Sequence, residues 1–162
     1  NTDARRALVQ AELAAGNGLP SDGTVFLSLN DTDKPAGLVV ARQLRERGLG
    51  LVATEGTAKA LAEVDVPSET LFKLAEEKSP NIQDYMADGK VDLIINTPSS
   101  AVSRKDEVKI RAEAVLRGIP IITTKWRMPR SIAAIDYINK RDWTVTALQE
   151  YFLASPSGSK FR

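Results

Sequence analysis

Apolar and polar positions along this chain predict short strands separated by helices. Thr24–Leu29 (TVFLSL) is a short apolar, β-prone run. The polar stretch Asn30–Lys34 follows. Pro35 suits the first turn of a helix, and Leu38, Ala41 and Leu44 recur at helical spacing. Gly48 ends that helix. Leu49–Ala53 reads as a second strand, Thr54–Thr57 (TEGT) as a tight loop and Ala58–Val64 as a short helix. Ser68–Phe72 is a third short strand, and Asn81–Asp88 is helical with Gly89 as its stop. Val91–Asn96 (VDLIIN) carries the strongest strand signal. Asp106–Arg117 is helical, with Val108, Ala112, Val115 and Leu116 on one face, and Gly118 stops it. Pro120–Thr124 (PIITT) is a fifth strand, Ile132, Ile135 and Ile138 mark a last long helix, and Val145–Phe152 is a short element.

Strand and helix thus alternate about five times, and the strands are apolar throughout, as expected when both faces are buried. This predicts a three-layer α/β domain with a five-stranded, mainly parallel sheet flanked by helices. Ahead of it, Ala4–Ala15 reads as a helix between a capping Asp3 and Gly16, and GNGLPSDG reads as a linker. The expected organisation is therefore a helix and linker over 1–22, the α/β domain over 23–154 and a disordered polar tail over 155–162.

Composition narrows the chemistry. Among 162 residues, 22 Lys and Arg face 21 Asp and Glu, giving a net charge of +1. That balance gives no reason to expect nucleic acid or an anionic membrane as partner. No stretch approaches the ~18 continuous apolar residues of a membrane span. The segment NTDARRALVQAELAAG lacks the apolar run of a secretory leader, so a cytoplasmic protein is expected. The chain has no Cys and no His. Thiolate nucleophiles, Ser-His-Asp chemistry and Cys- or His-ligated metals are therefore excluded within it. Any chemistry here rests on carboxylates, Lys, Tyr or backbone groups.

Parallel sheets bind ligands at the carboxyl ends of their strands. Ser28 and Lys34 lie after the first strand, Thr54, Gly56 and Thr57 after the second, and Lys73 after the third. Asn96 and Thr97 close the fourth, ahead of Pro98, Ser99 and Ser100, and Thr123, Thr124 and Lys125 follow the fifth. Hydroxyls, an amide and ammonium groups at so many strand ends form an inventory suited to phosphate. Thr54 and Thr57 can add backbone donors at a helix start, and Gly56 lets a ligand approach the backbone. Any one of these loops alone reads more readily as a cap or polar turn, and T-x-G-T lacks the G-x-x-x-x-G-K-[ST] spacing of a nucleoside-triphosphate loop. Asp22, Asp31 and Asp33 are not spaced as a calcium loop, and Asp84 and Asp88 read as surface residues of a helix.

The order SLNDTDK, GLGLVATEGTAKAL, FK, PNIQDYMADGKVDLIINTP and IPIITT resembles the methylglyoxal-synthase-like family over about Gly23–Phe152. ATEGTA followed by NIQDYMADGKVDLIINT is similar to one branch, the regulatory domain at the C-terminal end of carbamoyl phosphate synthase large subunits. AELAAGNGLPSDGTVFLSL resembles the stretch joining that domain to the ATP-using half before it. The resemblance implies an effector domain with no cofactor or catalytic residue of its own, taking UMP as inhibitor or IMP as activator. It implies a phosphate pocket of Ser28, Lys34, Thr54, Thr57, Lys73, Asn96 and Thr97 around Gly56. It implies as partners the remaining domains of the large subunit and the glutaminase small subunit, and leaves room for a homo-oligomer. The parent chain would use ATP with Mg or Mn to make carbamoyl phosphate from bicarbonate and glutamine-derived ammonia, for pyrimidine and arginine biosynthesis.

Two departures stand out. Pro98 replaces a Thr found in some members, and KWRMPR stands where a Gly/Ala-rich loop is usual. In that loop Trp126, Arg127 and Arg130 could stack on or clamp a nucleotide, or pack on a neighbouring domain. The sister branch, methylglyoxal synthase, eliminates phosphate from dihydroxyacetone phosphate with an Asp base and a nearby His. Here Ser79 falls near the place of that base, Asp84 lies a turn away and His is missing. The expectation is phosphate binding without the proton-abstracting machinery. Two other readings stay open: a phosphate lyase, and a docking or oligomerisation module whose loops are purely structural.

Overall fold

The computed structural model describes residues 20, 22–98, 101–123, 127–129, 132–133 and 135. Its elements are β1 (Thr24–Leu29), α1 (Lys34–Glu46), β2 (Gly50–Thr54), α2 (Glu55–Glu63), β3 (Glu69–Leu71), a 3-10 turn (Leu74–Glu76), α3 (Ile82–Ala87), β4 (Leu93–Thr97), α4 (Ala101–Leu116) and β5 (Ile121–Ile122). All five strands are parallel, in the order β3-β2-β1-β4-β5.

The two-residue period of the strands sorts their side chains into two cores. Val25, Leu27, Leu51, Ala53, Leu93 and Ile95 pack with Val40, Ala41 and Leu44 of α1 and with Ala58 and Leu61 of α2. Phe26, Val52 and Ile94 face the other way, against Ile82 and Met86 of α3 and Ile110 and Ala114 of α4. The sheet is thus covered on both sides, which is why its strands are continuously apolar. α1 packs closely onto β1 at Gly37, where a Cβ would run into the Leu29 side chain.

Several elements differ from the sequence expectation. Thr54–Thr57 is not a loop: Thr54 is the N-cap of α2, and Glu55, Gly56 and Thr57 form its first turn. Gly disfavours helix interiors, but first-turn amides have no intrahelical acceptor to gain, and Glu55 suits the positive end of the helix. α4 begins at Ala101 rather than Asp106. Its sheet-facing residues are Ile110 and Ala114, whereas Val108, Val115 and Leu116 are 66%, 69% and 86% exposed. The apolar face expected to point inward points outward, because α4 carries apolar residues on two sides and only one meets the sheet. β3 and β5 are shorter than their apolar runs. Ile132 and Ile135 are helical and buried in the first core. The expected helix 4–15, the linker up to 19, Ile138, the element 145–152 and the tail 155–162 lie outside the described residues.

Asp84 is more than a surface residue. Asn81 Oδ1 accepts from the N–H groups of Gln83 and Asp84, and the Asp84 carboxylate accepts from Asn81 N–H at 2.9 Å. This reciprocal box starts α3. The next residue, Tyr85, donates its hydroxyl to Glu69 at 2.5 Å and ties α3 to β3. That hydrogen bond, with burial and the carboxylate charge, pushes the Tyr85 phenol up to about 12. Among the described residues, no helix is long and apolar enough to cross a membrane.

Candidate functional site

Near their carboxyl ends, three strands carry polar residues on the same side of the sheet. Phe26 pairs in register with Val52 and with Ile94, and all three face the α3–α4 core. Two residues further on stand Ser28, Thr54 and Asn96, so each repeats the facing of its apolar predecessor. Ser28 pairs in register with Asn96, and Leu29 with Thr97. The polar row lies where the chain, having built outward from β1 through β2 to β3, crosses back to β4. That reversal opens a crevice at the carboxyl ends of β1 and β4.

The hydroxyls there are loosely engaged with one another. Thr54 Oγ1 lies 3.5 Å from Ser28 Oγ and 3.4 Å from Thr57 Oγ1. Both contacts sit at the weak limit for O–H···O, whose preferred length is ~2.7–2.8 Å. Thr54 spends no side-chain hydrogen bond on capping α2. The first-turn N–H groups of Glu55, Gly56 and Thr57 add donors at the positive end of the helix. Thr54, Thr57, Asn96 and Thr97 are buried polar residues.

Thr57 and Thr97 also have structural work. Thr57 Oγ1 accepts from Leu29 N–H, and Thr97 Oγ1 accepts from Asn30 N–H, each at 3.0 Å. They clamp the end of β1 from both sides, Thr57 from the first turn of α2 and Thr97 from the end of β4. Thr57→Ala would orphan the buried Leu29 N–H, a loss of ~1–3 kcal/mol, whereas Thr57→Ser keeps the acceptor. Denaturant unfolding is expected to show the Ala variant destabilised by that amount and the Ser variant close to the parent.

Cations approach from two sides. Lys34 opens α1, and its Nζ lies 3.8 Å from where a Cβ on Gly56 would stand. Gly56 therefore leaves open the space under that ammonium. Lys34 Nζ is held by Asp31 Oδ1 at 2.6 Å. The turn that places Lys34 is closed by Asn30, which accepts from Asp33 N–H at 2.8 Å and donates to the Asp33 carboxylate at 2.9 Å. Lys73 follows β3, two residues past Leu71, the register partner of Thr54. Its charge reaches the crevice rim, where it adds to Lys34 in holding Asp31 below the usual carboxylate range and to Lys59 in doing the same for Glu55. Lys73 is exposed, and no ion pair to another described residue engages it.

Eight residues named from sequence thus converge: Ser28, Lys34, Thr54, Gly56, Thr57, Asn96 and Thr97 at the crevice, with Lys73 at its rim. Asp31 and Asn30 are additions. The N-x-x-D spacing within Asn30–Asp33 signalled the turn, but nothing in the sequence signalled that Asp31 would hold Lys34. Such an array of N–H, O–H and ammonium donors suits a small oxyanion. A cavity of 830 Å³ opens elsewhere, along α2 and β3 between Ala58, Val66, Pro67 and Phe72, with Glu55 in its lining.

The stretch 37–123 matches the family model described as an MGS-like domain. The chain belongs to the MGS-like domain family. The match contains Thr54, Gly56, Thr57, Lys73, Asn96 and Thr97, with Ser28 and Lys34 just before it. Over 150 residues and 92% of its length, the chain is 45% identical to the carbamoyl phosphate synthase large chain of Methanosarcina acetivorans, of which it covers 14%. It is 40% identical, over 91% of its length, to the C-terminal section of that large chain in Methanocaldococcus jannaschii, covering 24% of it. The chain therefore spans a minor part of the curated relatives it matches. By fold it is similar to the methylglyoxal synthase of Elizabethkingia anophelis, with a TM-score of 0.51, 15% identity and coverage of 83% of this chain and 92% of that one.

Against the MGS-like fold, the segment between β3 and α3 is informative. Ser79 donates its hydroxyl to Asp84 Oδ2 at 2.7 Å. That bond first, and the Asn81 N–H second, hold the Asp84 carboxyl below the ordinary range. Of the KWRMPR loop, Arg127 is exposed and Met128 is buried, whereas Trp126 and Arg130 lie outside the described residues.

Proposed function

We propose that this MGS-like domain binds a nucleoside monophosphate through its phosphate and is the effector-binding domain of a carbamoyl phosphate synthase large chain. The observation that carries this reading is the convergence of the Ser28, Thr54 and Thr57 hydroxyls, the α2 amides and the Lys34 ammonium at the strand-order reversal. Phosphate is favoured there by the helix dipole, by unengaged first-turn N–H groups and by charge-assisted donors. Asn96 and Thr97 close the crevice from β4, and Lys73 caps its open side. Homology to large chains of carbamoyl phosphate synthase supports a place beside the other domains of such a chain. In that setting the parent chain joins bicarbonate, ammonia from a glutaminase small subunit and ATP with Mg or Mn. UMP and IMP are the effectors to test. An effector regulates only by binding two conformations of the larger chain unequally.

Calorimetric titration of this chain with UMP and with IMP tests the reading. Saturable binding of at least one nucleotide, with inorganic phosphate competing, is expected. No binding of UMP, IMP or inorganic phosphate at millimolar concentration would overturn it.

A further inference from the structure

The crevice contains its own anion. Among the described residues, the Glu55 and Asp31 carboxylates stand near its cations, and they are held differently. Glu55 pairs outward with Lys59 at 2.8 Å, one helical turn along α2 and away from the crevice cations. Asp31 instead pairs with Lys34, the cation over Gly56, at 2.6 Å. Side-chain exposure is unequal in that pair: 24% for Lys34 and 96% for Asp31. The cation is thus the more enclosed partner, and the anion reaches it from solvent. No other hydrogen bond of the Asp31 side chain is formed within the described residues, so Lys34 is its one direct partner there.

We propose that Asp31 is a resident counter-ion which a bound phosphate displaces from Lys34, so that this carboxylate sets the affinity of the site. The inference rests on the phosphate-binding reading. A ligand oxyanion arriving between Lys34 and the α2 amides meets an ammonium already engaged, and binding is an exchange of one anion for another. Exposed ion pairs are individually weak, so the exchange is accessible, but a single carboxylate ligand gains little from it. A phosphate monoester, carrying more charge and three acceptor oxygens, gains from the exchange because it also takes up the neighbouring N–H and O–H donors. Leaving, Asp31 remains close to the ligand and repels it. Removing its charge therefore eases binding twice, by freeing Lys34 and by removing that repulsion.

Titration of inorganic phosphate into the parent chain, Asp31→Asn, Asp31→Glu, Lys34→Gln and the Asp31→Asn/Lys34→Gln double variant tests this. Asp31→Asn is expected to bind phosphate about two- to fivefold more tightly than the parent. Asp31→Glu, which keeps the charge, is expected to stay near the parent. In the Lys34→Gln background the gain from Asp31→Asn is expected to shrink, because there is no ammonium left to release. Unchanged or weaker binding by Asp31→Asn overturns the inference, as does an undiminished gain in the Lys34→Gln background, which would mark a general charge effect. If the parent binds phosphate and Asp31→Asn does not bind it more tightly, only the counter-ion role falls. If neither binds phosphate, UMP or IMP, the effector reading has failed and the counter-ion role fails with it.

Discussion

Replacing Lys73 by alanine is expected to weaken nucleotide binding at least tenfold while leaving the melting temperature of the unliganded chain in place. Lys73 lies just past β3, and no ion pair to another described residue engages its ammonium. Its structural contact is made by the main chain, whose N–H donates to Glu76 Oε2 at 2.6 Å, and alanine keeps that donor. Among the described residues, no hydrogen bond or ion pair therefore depends on the ammonium. A charge-assisted hydrogen bond to a phosphate contributes ~1.5–3 kcal/mol, and each ~1.4 kcal/mol is tenfold in affinity. Calorimetry on the parent and Lys73→Ala, with either UMP or IMP as the bound nucleotide, reads the first half of the prediction, and ligand-free thermal unfolding reads the second. Equal affinities would remove Lys73 from the site. A large loss of stability without ligand would make it structural.

The purified chain is expected to release no methylglyoxal from dihydroxyacetone phosphate above background. Abstracting a proton beside a carbonyl needs a base within hydrogen-bond reach and of suitable pKa. The chain has no His. Ser79 has no imidazole to activate it, and its hydroxyl is donated to Asp84. Asp84 is committed to the cap of α3 and is held below the ordinary carboxylate range, which makes it a weaker base. Dihydroxyacetone phosphate is nonetheless expected to compete weakly with nucleotide, since it carries the same phosphate. A discontinuous colorimetric assay for methylglyoxal checks the claim. Turnover abolished by Asp84→Asn would make Asp84 a catalytic base and displace the effector reading.

How far the sequence reveals this molecule follows from where its information is local. Strands buried on both faces advertise themselves, so β1, β2 and β4 were legible nearly to their ends. Ser28, Thr54 and Asn96 were also legible, because each merely continues a two-residue period beyond an apolar residue. The start of α2 was hidden by Gly56, whose low helix propensity matters little in a first turn without backbone acceptors to satisfy. The orientation of α4 was hidden because apolar residues occur on two of its sides, and the burial of Ile110 and Ala114 over Val108 and Val115 is decided by the sheet. The double duty of Thr57 and Thr97 was out of reach altogether. It depends on β4 and the start of α2 coming to lie on either side of β1, and that is a property of the completed sheet.

The position of β1 also bears on the order in which the molecule can form. Among the described residues, the first strand is the middle strand of the sheet. One of its neighbours, β2, follows after a single helix, but the other arrives only with β4; Thr24 N–H finds its acceptor in Asp92, 68 residues away. Closing so long a loop carries an entropic penalty before any contact offsets it. The segment β1–α1–β2–α2–β3 can therefore gather early, with one side of Phe26 and Val52 still bare until Ile94 and the helices around it arrive. During that interval the unpaired edge of β1 is open to any other extended chain nearby, so the long span between the two halves is a period of exposure during synthesis as well as a step in folding.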